Sequence, residues 1–188
     1  MSASPSLRST IVQKVVPTDT GSQAPAVSSD TPPTKKDKDP SRWADPIFQK
    51  QITCTPSYLH KTNMQFFGFA VDEAWVWQYY EQWRGISKKE TKTIYIAVFT
   101  SVIWRLHHIL GIPDLHMESV MIDDKTPANA TVYEEKSGLK YVTIISMCPF
   151  AIEEWARRPT LGQVMALKEL VGGEPRWWVD IHPVGYYN

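Results

Sequence analysis

The sequence predicts an α+β fold. It reads as a single two-layer domain with a largely antiparallel sheet of about five strands and about four helices, in the order βααβββααβ, behind a disordered N-terminal tail. Three observations carry this reading. Composition changes abruptly near residue 57, and most of the 8 Trp, 8 Tyr and 6 Phe residues follow that point. Beyond it, short apolar or β-branched runs alternate with capped segments of helical period. Two of the strands meet through a tight hairpin, and such consecutive antiparallel pairing separates α+β folds from parallel ones.

Residues 1–42 contain no aromatic residue and are rich in Ser, Thr and Pro. Such a segment buries too little apolar surface to offset chain entropy, so it is expected to be disordered. Residues 1–56 are therefore assigned to tail and transition, and 57–188 to the compact domain. Within the tail, Thr10–Val16 (TIVQKVV) has the apolar pattern of a short docking strand, set in what otherwise reads as flexible chain.

The first domain element is Met64–Val71 (MQFFGFAV), a continuous apolar run of strand length, as expected of a strand covered on both faces. Gly68 inside it signals a bulge or a close backbone approach. Asp72 then caps a helix from Glu73 to Arg84, Val71 and Val76 staple its start, and Gly85 ends it. Its rings, Trp75, Trp77, Tyr79, Tyr80 and Trp83, cover so much of the helix circumference that at least one is expected to face outward. Ser87–Glu90 (SKKE) reads as the capping box of a second helix. Its apolar positions from Ile94 to Leu110 make a surface broad enough for a buried central helix ending at Gly111.

Met117–Asp123 reads as a weak strand. Thr131–Glu135 and Leu139–Met147 flank Lys-Ser-Gly, a three-residue hairpin loop with Gly138 at the left-handed position. Pro149 is expected to open a short helix that Pro159 stops. Thr160 with Gln163 forms a second capping box, Gly172 closes that helix, and Arg176–His182 alternates as a final strand.

The 20 basic and 20 acidic residues balance, which argues against a protein built to neutralise phosphate, so no nucleic-acid partner is expected. Two cysteines imply no disulfide framework. The N-terminus lacks a secretory apolar core, and Ile94–Trp104 is too short to cross a bilayer. An intracellular, cytoplasmic or nuclear protein without a membrane partner is the expectation. Phosphate-binding glycine motifs, the G-x-S-x-G elbow and H-E-x-x-H are all missing. No cofactor is assigned.

Three groups could carry chemistry. His116 with Glu118, and Asp180 with His182, are alternate pairs on two predicted strands, and alternate residues share a face. If those strands are neighbours, the four could converge on Zn²⁺ or Fe²⁺; otherwise they mark a solvent face. Cys148 is placed between a strand and a helix opened by Pro149, where the helix dipole lowers a thiol pKa and favours a nucleophile; simple packing is the plainer reading. His107 and His108 lie in a last helical turn, which suits imidazolium at the negative end of the dipole.

Two functions follow. The leading one is a non-catalytic protein-interaction domain, binding a protein partner or self-associating through Trp75, Trp77, Trp177, Trp178, Tyr186 and Tyr187. The alternative is a small enzyme or small-ligand-binding protein with an aromatic-lined pocket, using Cys148 or the histidine–carboxylate group.

Overall fold

A computed structural model describes residues 13–14, 45–57, 59–89 and 93–183. The elements are β1 (Gln13–Lys14), β2 (Asn63–Ala70), α1 (Glu73–Arg84), α2 (Tyr95–Leu110), β3 (His116–Met121), β4 (Val132–Glu134), β5 (Lys140–Pro149), α3 (Ile152–Trp155), α4 (Leu161–Val171) and β6 (Arg176–Pro183). From β2 onward this is the α+β order that the sequence predicts. Three helices are of substantial length; α3 is a single turn.

The sheet runs β1-β4-β5-β2-β6-β3, and its pairings are antiparallel. It does not remain an open layer. β5 also pairs with β3 over six residues, from His116↔Ser146 to Met121↔Tyr141. The bridge Val120↔Asp180 then joins β3 to β6, so β5, β2, β6 and β3 close into a ring. The expected two-layer packing is corrected accordingly: the curled sheet encloses a core of its own, and the helices cover its outside.

Alternation along the strands separates two cores. Phe66, Val120, Val142, Ile144 and Trp178 fill the interior of the ring. Residues of opposite parity, including Phe67, Phe69, Ile145 and Met147, meet Val76 and Trp77 of α1, Val98, Phe99, Val102 and Leu106 of α2, and Val164 and Leu167 of α4. A strand buried on both faces reads as a continuous apolar run, which explains the composition of β2 and β5.

Gly68 makes the closure possible. Pairing of β2 with β5 shifts register between Phe67 and Gly68, where Met147 is left as the extra residue, so the bulge lies on β5 and bends that strand. A Cβ at Gly68 would overlap the carbonyl oxygen of Ile145. The Gly68 carbonyl in turn accepts the Trp178 indole N–H at 3.0 Å.

The helix termini follow local chemistry. The Asp72 carboxylate accepts from the Ala74 amide, and Gly85 ends α1 with φ 68°. Thr160 and Gln163 cap α4 reciprocally. The box read at Ser87–Glu90 is corrected: α2 begins at Tyr95, with Ile94 at its N-cap and no side-chain cap bond, and Glu90 lies outside the described residues. The Lys88 amide instead bonds the Glu81 carboxylate, and the Lys88 ammonium lies 5.1 Å from the Trp77 ring centre, so this turn folds back onto α1. Pro149 ends β5 rather than opening a helix. No ring of α1 is exposed, contrary to expectation. Trp77 and Tyr80 are buried, Trp75 donates to the Leu170 carbonyl of α4 at 2.8 Å, and Tyr79 stacks on Trp75.

The packed chain starts earlier than residue 57. Lys50 and Phe48 carbonyls accept from Leu161 and Gly162, the Ile52 carbonyl accepts from Arg158, and Ile52 enters the core. Of the predicted tail, residues 1–12 and 15–44 lie outside the described residues.

Replacing Gly68 by Ala is expected to lower stability by about 3 kcal/mol, because backbone atoms of Ile145 would have to move. Urea unfolding measures it; a change within about 0.5 kcal/mol would show that the approach is not a constraint.

Candidate functional site

The histidine–carboxylate residues stand on one side of neighbouring strands. His116 and Glu118 on β3 share parity with Val120, whose partner on β6 is Asp180. The His116 Nε2 lies 3.2 Å from the Glu118 carboxylate, and its Nδ1 lies 2.5 Å from the Asp114 carbonyl. The ring packs edge-on against Phe66, with centroids 5.7 Å apart. Burial opposes charge on His116, but the Glu118 hydrogen bond and charge, together with Asp114, outweigh it and hold the imidazole pKa above its usual value. Both ring nitrogens face acceptors, so the imidazolium form is the satisfied one.

Asp180 is buried, and its carboxylate accepts from the His182 amide at 3.0 Å. Burial raises its pKa, the Glu118 charge adds to that rise, and the His182 amide and ring act against it. The four residues therefore form an electrostatic seam at the joint between β3 and β6. Among the described residues, no three His, Cys, Asp or Glu side chains come together in a way that could hold a metal ion.

Cys148 is not at a helix N-terminus. It pairs with Phe67 inside the sheet and is fully buried in the main core. Burial pushes its thiol up to about 12, with the neighbouring Cys54 and Asp114 adding to the rise. Of the two readings offered by the sequence, the plainer one of simple packing fits, and the lowered thiol pKa of the other is reversed in sign because Pro149 continues the strand. Cys54 is the exposed thiol. His107 bonds the Ile112 carbonyl at 2.7 Å beyond the helix end, and His108 stacks on Trp104.

The aromatic residues named from sequence as a docking surface are packed instead. Trp77 and Trp178 are buried. Trp75 and Trp177 are partly buried against the main core, Trp177 among Phe67, Phe150 and Trp155. The physical reason is that β6 is an interior strand, covered on one face by the ring and on the other by the helix side. Tyr186 and Tyr187 lie outside the described residues. The apolar surface that does face out belongs to α2. Trp104 is 63% exposed, with Ile96 at 53% and Ile109 at 42%. This corrects the reading of α2 as a buried central helix: it has one buried stripe and one bare one. The row Ile96, Thr100, Trp104, His108 at four-residue spacing, interrupted by polar residues, was the available sequence signal.

Three hollows accompany these features. A groove of 560 Å³ lies against β2, α4 and the start of β6, with Phe67 and Trp177 on its wall and Cys54 on its rim. A second, of 370 Å³, is lined by Tyr95, Tyr133, Tyr141 and Glu73, among others. A third, of 390 Å³, runs between α1 and α2 beside Trp104. Neither Cys148 nor the histidine–carboxylate seam lines any of them. Comparison with known protein families, with curated proteins and with solved structures finds no match to this chain. Among the described residues, no helix is long and apolar enough to cross a membrane.

A thiol reagent at neutral pH is expected to modify Cys54 alone, with Cys148 reacting only on unfolding; native-state labelling of Cys148 at the Cys54 rate would contradict its burial. His116 holds its proton more tightly folded than unfolded. The stability it contributes is therefore full below about pH 6.5 and fades as pH rises through the raised folded value. Glu118→Gln should lower Tm more at about pH 5.5 than at about pH 8.5, and an equal loss at both would remove the pair as the source.

Proposed function

We propose that this chain is a non-catalytic protein-interaction domain that docks a partner on the outer face of α2. The observation that carries the reading is Trp104, a large ring left 63% exposed on a regular helix, in line with Ile96. Apolar surface of this kind in contiguous form is typical of interaction sites, and tryptophan is the residue most enriched at interface hot spots.

The groove beside Trp104 gives the docking face its shape and sign. Tyr80, Trp83, Arg84, Thr100 and Ser101 line it with Trp104. The guanidinium groups of Arg84 and Arg105 lie 5.3 Å and 5.7 Å from the Trp83 ring centre. An apolar floor bordered by two arginines suits a partner helix that presents an apolar stripe flanked by acidic residues. Catalysis is less well supported, since the residues that the sequence offered for it are a core thiol and a satisfied ion pair.

Trp104→Ser is expected to weaken partner binding at least tenfold while leaving Tm within about 2 °C, because the ring contributes little to the fold. A partner recovered with the wild-type protein would be purified and titrated against wild type, Trp104→Ser and Arg105→Glu. Equal affinities for all three would rule out this face.

A further inference from the structure

The 560 Å³ groove against β2, α4 and the start of β6 is separate from the hollow beside Trp104, and the two share no lining residue. Its volume is that of a small-ligand site. Strand register sets its floor. Phe67 pairs with Trp177 and Gln65 with Val179, so Gln65 and Trp177 are diagonal neighbours on the face turned toward the helices. The Phe67 and Trp177 ring centres lie 5.5 Å apart. Ile52, Leu161 and Val164 extend this into an apolar wall. Such a wall suits a ligand with a flat apolar body.

Two side chains of the floor hold hydrogen-bond donors that lack acceptors. Gln65 is only 5% exposed. Its carboxamide oxygen accepts from the His60 amide at 3.1 Å, which fixes the orientation of the group. Its N–H₂ donates to no protein group. The Trp177 indole N–H is shielded and also has no acceptor. A buried donor left without a partner costs about 1–3 kcal/mol, so two on one face favour an acceptor brought from outside. The rim supplies the sign of that acceptor. Arg176 is held by both oxygens of Asp123 at 2.7 Å, and Lys168 is paired with Glu174. Lys125 is exposed and has no ion pair among the described residues. The groove is thus lined by three cations and two carboxylates, a surplus of one positive charge. A carboxylate provides both the missing acceptors and the missing charge. A neutral carbonyl provides only the first, and a phosphate dianion exceeds the surplus and keeps its hydration against an apolar wall.

We propose that this groove binds a small carboxylic acid with a flat apolar body, its carboxylate accepting from Gln65 and the Trp177 indole and its charge balanced by Lys125. The body lies against Phe67 and Val164. This is a ligand site in addition to the protein-docking face of α2, and it stands or falls separately from that face.

The test titrates 2-naphthoate into the full chain by calorimetry. Saturable binding with a Kd below about 1 mM is expected. The uncharged 2-naphthamide keeps the flat body and should bind about tenfold more weakly. Trp177→Phe keeps a ring and removes the indole N–H, and should weaken 2-naphthoate about tenfold. Lys125→Glu changes only an exposed charge, so it leaves folding intact, and it should weaken binding about fivefold. Cys54 on the rim reports where the probe sits: saturating 2-naphthoate should slow its reaction with a thiol reagent about fivefold. Absence of saturable binding by about 1 mM would overturn the site. Equal affinities for the acid and the amide would remove the carboxylate preference. Wild-type affinity in Lys125→Glu, with Cys54 labelled at its free rate, would put the probe elsewhere and reject the groove.

Discussion

Everything in this molecule depends on the contact between Gly68 and the backbone of Ile145. β2 and β5 approach there more closely than any side chain permits, with a bulge at the same point. The extra residue is Met147 of β5, so the bulge bends β5, which pairs with β3 along its length while β6 bridges to β3 from the other side. Trp178 donates its indole N–H to the Gly68 carbonyl, which ties the third strand to the same residue. Closure then forces alternate residues of four strands into a small apolar interior. Burying each such side chain contributes roughly 1.5–3 kcal/mol, so the ring is held by five large residues as well as by its ladders.

Closure also decides where function can sit. A ring whose outside is covered by α1, α2 and α4 leaves little sheet surface in contact with solvent. The tryptophans of β6 therefore serve the interior, and exposure falls to the elements that close nothing. The outer stripe of α2 is one place where large apolar side chains meet solvent, with Trp104 63% exposed.

Several local features were legible in the residues. Asp72, Gly85, Thr160 with Gln163, and Gly138 each act through bonds or backbone angles set within a few positions, so their roles survive any tertiary arrangement. Gly68 was readable too, since a glycine within an apolar strand packs no side chain and so marks a bulge or a close approach. Cys148 kept two readings in sequence, simple packing and an activated thiol, because one tertiary fact decides between them. Pro149 can begin a helix or end a strand, and the thiol is acidic in the first case and driven toward 12 in the second. Trp104 was missed because apolar residues on three sides of α2 look alike in sequence, and only the positions of α1 and the sheet show which side stays bare.

The sequence by itself determined the element order from β2 to β6, the caps of α1 and α4, the hairpin and the two-sided burial of β2. These depend on interactions between near neighbours or on simple apolar periodicity, and both are written locally. Tertiary structure alone decided that the sheet closes, that the His116–Glu118 pair of β3 lies beside Asp180 of β6, and that α2 keeps one apolar stripe outside. Each of those outcomes turns on which strand lies beside which. That pairing is chosen by the whole core at once, because a strand that is apolar on both faces fits several neighbours equally well until the last one closes the ring.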